Sequence, residues 1–257
     1  MNFKKIFLKI ACGFLILLPL HTTAYAKKEQ VVILDRHFPV LFPVSSTNPI
    51  TNTVAPTLFS PQQTTPSSSP GLLQQLIIIQ TYGNYNQQEA SNMTQRISKI
   101  NSNILYALYT KNVRIKLINF PITYLVEYSY LRGKVPRGWE GTGYTWDDVP
   151  GIGGNPVVAR IGYSNYGNMH TSINLELHET AHAIDRYVFQ NISYSQEFLR
   201  IHAREYNSFS SSSYYYYPEE YFAEAFAYYY LTSKTNSILK NQAPATYQFI
   251  QNLPLRL

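Results

Sequence analysis

Cysteine is almost missing from this chain: the one thiol in 257 residues is Cys12. It lies inside an N-terminal stretch with the features of an export signal. Met1-Asn2-Phe3-Lys4-Lys5 is basic, Ile10 to Leu20 is apolar, and Ala24-Tyr25-Ala26 supplies the small-residue cleavage pattern. Lys9 puts a charge where a lipid-attachment signal around Cys12 needs an aliphatic residue. The expected mature chain starts at Lys27, is secreted and extracellular, and has no cysteine. That excludes disulfides and thiolate metal ligands, so any metal centre has to be built from His, Asp and Glu.

Long apolar runs are also missing. The stretch up to Leu20 is shorter than the roughly 20 residues a membrane-spanning helix needs, and no later segment supplies one, so stable membrane insertion is not expected. Strong charge is absent too. The formal net charge is +6, but Lys4, Lys5 and Lys9 leave with the signal and the mature balance is +3, which points to no nucleic-acid partner.

What is present divides into two parts. Residues 27–38 contain a short apolar run, Val31-Val32-Ile33-Leu34. Residues 39–70 are crowded with Pro, Ser and Thr and lack the apolar density of a core, so 27–70 reads as an N-terminal segment and linker. From Gly71 to Leu257 there is enough chain for one domain with a substantial core. Within it, Ala90 to Lys111 is predicted to be a helix, with Met93, Ile97, Ile100, Ile104 and Leu108 on one stripe, and Val113 to Ile118 alternates like a strand. Residues 133–155, rich in Gly and Pro and holding both Trp139 and Trp146, read as a long ordered loop. Pro156 to Tyr163 reads as a strand and is the expected sheet edge for an extended peptide substrate. Helices are expected over Ser195–Tyr206, from Pro218, and over Ala245–Asn252, with a Ser/Tyr run at 208–217 between the first two.

One pentapeptide carries chemistry: His178-Glu179-Thr180-Ala181-His182. Two imidazoles four residues apart on a helix take two positions on one Zn²⁺, and the intervening Glu is left to work on water. Apolar residues at 173, 177, 181 and 184 support a helix with one buried stripe, starting near Ser172. The bland alternative is a surface helix with two solvated histidines.

A catalytic zinc needs a third protein ligand and an open position. The metzincin spacing would put Gly at Asp185 and His at Val188, and has neither. The strongest candidate segment is Pro218-Glu219-Glu220-Tyr221-Phe222-Ala223-Glu224-Ala225-Phe226, where Glu220 and Glu224 share a helix face, one able to bind the ion and the other to support it.

Four segments together resemble the anthrax-lethal-factor-type zinc metallopeptidases, and within them the secreted Pro-Pro endopeptidases. They are Val135-Pro136-Arg137-Gly138-Trp139-Glu140-Gly141-Thr142-Gly143, Thr145-Trp146-Asp147-Asp148-Val149-Pro150-Gly151, Ile173 through Asp185, and Glu219 through Phe226. The resemblance covers most of residues 75–257. It implies an α+β, zincin-like fold, mainly helical, with a small mixed sheet whose edge strand binds substrate. It further implies one Zn²⁺ on His178, His182 and Glu220, Glu179 as general base, Tyr214 as the oxyanion donor among the consecutive Tyr214 to Tyr217, and Trp139 and Glu219 as substrate contacts. The expected partner is an extracellular or surface protein or peptide, cut by a monomer at Pro-Pro bonds. Two alternatives stand beside this: a toxin-like peptidase cutting non-proline bonds in a host protein, and an inactive zinc-binding surface module.

Overall fold

The computed structural model of the chain describes residues 70–209 and 213–257. The expected export signal at 1–26 and the expected N-terminal segment and linker at 27–70, all but Pro70, lie outside the described residues. The domain opens with helix α1 (Pro70–Leu76) running directly into strand β1 (Ile77–Gln80), neither of which the sequence pattern announces.

The single helix expected over 90–111 is two, α2 (Gln87–Ile97) and α3 (Ser102–Thr110). The break comes from local competition: Asn101 turns its side-chain oxygen to the Asn103 N–H and caps a new helix, as Asn86 does for Glu89 at the start of α2. The stripe survives the break, since Met93, Ile97, Ile100, Ile104 and Leu108 are all buried.

Strands β2 (Ile115–Ile118), β3 (Gly151–Gly153) and β4 (Val157–Arg160) join β1 in one sheet of order β1-β2-β4-β3. The first three in that order are parallel, with Ile77 opposite Ile115 and Ile115 opposite Val157; β3 runs antiparallel to β4, with Gly151 opposite Ala159. The expected edge strand at 156–163 is therefore corrected. It is shorter, and it is flanked on both sides because the loop preceding it folds back as β3 and takes the outer position. Alternation sends Ile115, Leu117, Val157 and Ala159 into the large core beneath the helices, while Ile118 and Val158 face a smaller core with Phe120, Ile122, Leu125, Tyr128 and Val149.

Helices α4 (Leu175–Ala183), α5 (Gln196–Phe209), α6 (Pro218–Leu231), α7 (Ser233–Gln242) and α8 (Pro244–Gln251) complete the domain. α4 packs against α6 on one side and against β3 and β4 on another. It is buried nearly all round, where the sequence pattern suggested a single stripe; only Glu179 and His182 keep some exposure. Thr232 and Thr235 form a reciprocal cap at the start of α7, and Glu205 of α5 accepts from the Ala245 and Thr246 N–H groups that open α8. Among the described residues, no helix is long and apolar enough to cross a membrane.

Candidate active site

Helix α4 begins where Asn174, in extended conformation, accepts the Leu177 N–H, two residues later than the Ser172 start expected. Four-residue spacing then puts His178 and His182 on the side facing α6. α6 opens on Pro218, whose missing N–H costs nothing in a first turn, so Glu220 lies in that turn and Glu224 one turn on. The packing of these two helices makes the centre. Glu220 Oε2 is 3.2 Å from His178 Nε2 and 3.3 Å from His182 Nε2, and the two Nε2 atoms are 3.1 Å apart.

Three electron-rich atoms meeting in this way repel one another unless positive charge sits on them. A tetrahedral divalent ion with ligand bonds of about 2.0–2.1 Å holds its ligands about 3.3 Å apart, which is the spacing of this triangle. The donor set of two imidazoles and one carboxylate suits such an ion, and the three residues form the metal-competent group of the described chain. Glu224 supports it from behind: Oε2 lies 3.2 Å from His178 Nδ1 and Oε1 accepts the Ile173 N–H at 2.9 Å. A proton on Nδ1 leaves Nε2 with its lone pair toward the triangle.

The two carboxylates also act on the protonation of His178. Burial works against charging His178, but contact with Glu220 and Glu224 outweighs it and holds the imidazole pKa up at about 10. Burial likewise opposes the charge on Glu220, yet hydrogen bonds from His178 and His182 carry its carboxyl well below the ordinary range. Metal binding displaces such a proton. Glu179, whose side chain lies beside Gly151 of β3, is pushed up by burial, against the opposing pull of His178 and His182.

The other sequence-predicted residues are distributed around this centre. Tyr214 hydrogen-bonds Glu220, and burial together with that carboxylate raises its phenol far above normal. Tyr215 is buried and reaches Glu224 instead, whereas Tyr216 and Tyr217 are exposed. Glu219 bonds Arg137 Nη2 at 3.2 Å and accepts from the Tyr194 hydroxyl. Trp139 is half-buried against the smaller core, edge-on to Tyr144.

Arg137 was not singled out by the sequence reading. Besides Glu219 it lies 3.4 Å from Glu220 Oε1, and its guanidinium covers the Tyr217 ring at 4.3 Å, so it ties the Trp139 loop to the start of α6. Its one signal was its place two residues before Trp139 in a Gly/Pro loop. Tyr194 had no signal at all. It stands in a turn held by buried Asp185, which accepts from the Ser193 N–H at 2.8 Å and the Ser193 hydroxyl at 2.7 Å.

Comparison with known proteins adds to this geometry. Residues 65–253 match the family described as Anthrax toxin lethal factor, N- and C-terminal domain. A Pro-Pro endopeptidase of Clostridioides difficile is 50% identical over 191 residues, covering 74% of this chain and 86% of that protein. A Pro-Pro endopeptidase of Paenibacillus alvei is 46% identical over 184 residues, covering 71% and 84%. The solved structure of the Pro-Pro endopeptidase PPEP-2 from Paenibacillus alvei superposes with a TM-score of 0.68 at 47% identity, over 71% of this chain and 99% of that one.

Proposed function

The chain belongs to the anthrax toxin lethal factor family, and on that premise we propose that it is a secreted, monomeric zinc endopeptidase that hydrolyses Pro-Pro bonds in extracellular or surface proteins. The observation that carries this reading is the tetrahedral-edge spacing of His178, His182 and Glu220 with Glu179 and Tyr214 beside it. The names of relatives at 46–50% identity support the choice of bond.

His178, His182 and Glu220 would hold the ion, which supplies Lewis-acid polarisation of the scissile carbonyl and acidifies a water molecule. Glu179 takes a proton from the attacking water onto its carboxylate and passes it to the leaving prolyl nitrogen. Tyr214 donates its phenolic proton in a hydrogen bond to the oxygen that becomes negative as the carbonyl turns tetrahedral. A phenol that resists ionisation keeps that proton to donate. Glu224 holds the His178 ring.

A proline-rich substrate brings rigid rings and no imide N–H, so its cleft needs aromatic walls more than hydrogen-bond acceptors. Trp139 serves as such a wall, and Glu219, gripped by Arg137 and Tyr194, stands at the rim. β3, the outer strand beside α4, offers main-chain groups to an extended segment. A library of X-Pro-Pro-X peptides with matched proline-free controls, assayed with and without a chelator, tests the reading. Cleavage between the prolines that stops on chelation is expected; cleavage of the controls alone would overturn the proline assignment.

A further inference from the structure

Two kinds of glycine stand out in the domain. Gly83, Gly133, Gly138, Gly141, Gly143, Gly162 and Gly167 have positive φ, and a Cβ on any of them would meet nothing within 4 Å. They are glycine for backbone conformation. Gly151 and Gly153 are the opposite: neither has a positive φ, yet neither has room for a methyl group. A Cβ at Gly153 would stand 2.3 Å from His182 Cβ and 2.9 Å from the Glu179 carbonyl oxygen. One at Gly151 would stand 2.8 Å from both Glu179 Cγ and Leu175 Cδ1, and 2.9 Å from Glu179 Oε1.

Two residues apart on a strand, these glycines share one face, and that face lies on α4. The strand touches the helix at the ion-binding His182 and at the base Glu179, through the missing side chains. We infer that Gly151 and Gly153 are positioning residues of the reaction: by presenting no Cβ to α4, β3 sets where the Glu179 carboxylate and the His182 ring stand. The inference rests on the peptidase reading above.

The two positions separate by what they press upon. At Gly153 the clash is with the root of His182 and with helix backbone, which cannot swing aside, so Gly153→Ala moves a ligand. At Gly151 most of the clash is with the outer part of the Glu179 side chain, which rotates away, so Gly151→Ala displaces the base and leaves the ligands in place. Gly154 is the control. It is equally crowded, but by the Tyr128 hydroxyl at 2.1 Å on the smaller-core side, away from the helix.

The experiment uses the full chain and its three Ala variants, with folding checked by circular dichroism and thermal melting. Zn²⁺ affinity is measured by competition with a chromophoric chelator, and kcat and KM on a cleaved peptide. Gly153→Ala is expected to weaken Zn²⁺ binding about tenfold or more. Gly151→Ala is expected to keep Zn²⁺ affinity and KM while kcat falls on the order of 100-fold. Gly154→Ala is expected to lower the melting temperature and leave both readouts unchanged. If Gly153→Ala fails to fold, the kcat-only loss in Gly151→Ala still decides. Variants that melt early like Gly154→Ala but bind Zn²⁺ and turn over as the unchanged chain does would overturn the inference and spare the peptidase reading. An unchanged chain that binds no Zn²⁺ would overturn the peptidase reading and this inference with it.

Discussion

Helix α4 carries two polar clusters on opposite sides, and they are built on different terms. Behind it, fully buried Glu176 is paired with Arg96, which also bonds Glu89 at 2.5 Å and Ser164 at 2.9 Å, while Asn174 donates to Glu176 at 3.0 Å. That cluster contains its own cation. In front, His178, His182 and Glu220 converge, and the cation beside them, Arg137, is more than half exposed and reaches only the far oxygen of Glu220. A cluster that holds its own largely buried cation between its carboxylates locks helices together; a cluster of donors short of a buried cation is suited to receive one.

That contrast can be broken from either side. The largest effect is expected from Glu179→Ala, which should retain Zn²⁺ but cut kcat by about 10²–10⁴-fold; full activity on a verified substrate would end the proposed mechanism. Arg96→Leu should strand the buried Glu176 charge and cost about 3–5 kcal/mol of stability, read from urea melts, with Zn²⁺ affinity of the folded protein unchanged. A loss of Zn²⁺ affinity there would mean that the two clusters are not separable. Tyr214→Phe should lower kcat about 10²–10³-fold with KM little changed, and Tyr216→Phe should do neither; the reverse result would move the oxyanion role along the turn.

The smallest effect sharpens the rear cluster through pH. Burial alone would raise the Glu89 pKa, but hydrogen bonds from Arg96, Ser164 and Asn92 hold it below the ordinary 4.5. A carboxyl depressed in the folded state stabilises above its unfolded pKa and stops doing so as pH falls through the folded value. Glu89→Gln should therefore cost about 1 kcal/mol at pH 7, and the gap to the unchanged chain should close below about pH 4. A gap that stayed constant with pH would show that the charge contributes nothing.

Much of the site was legible because its main signals are local. His178 and His182 announce themselves by one helical turn, as do Glu220 and Glu224. Which of those two carboxylates meets the imidazole Nε2 atoms was not legible from spacing, because both lie on one face and the choice depends on how α6 slides along α4. Arg137 and Glu219 meet across 82 positions, which no periodicity reports. The expected edge strand failed for the same reason. Alternation identifies a strand, but its place in the sheet depends on whether a neighbour folds back, and here Gly151–Gly153 did. At Asn101 a capping side chain outweighs the apolar stripe that runs across it, and the helix breaks there.

By itself the sequence determined the chemistry available to this domain: a stretch from Gly71 to Leu257 without thiols, a turn of helix with His178 and His182 around Glu179, and an acidic helix to complete it. Those are consequences of residue type and 3.6-residue periodicity. Spacing left Glu220 and Glu224 equivalent, and the tertiary structure set Glu220 in the triangle with Glu224 behind it. It also decided that Arg137 ties the Trp139 loop to the start of α6, and that two glycines let β3 press against α4. Each of these is a contact between segments far apart in the chain, where close packing rather than local propensity sets distance.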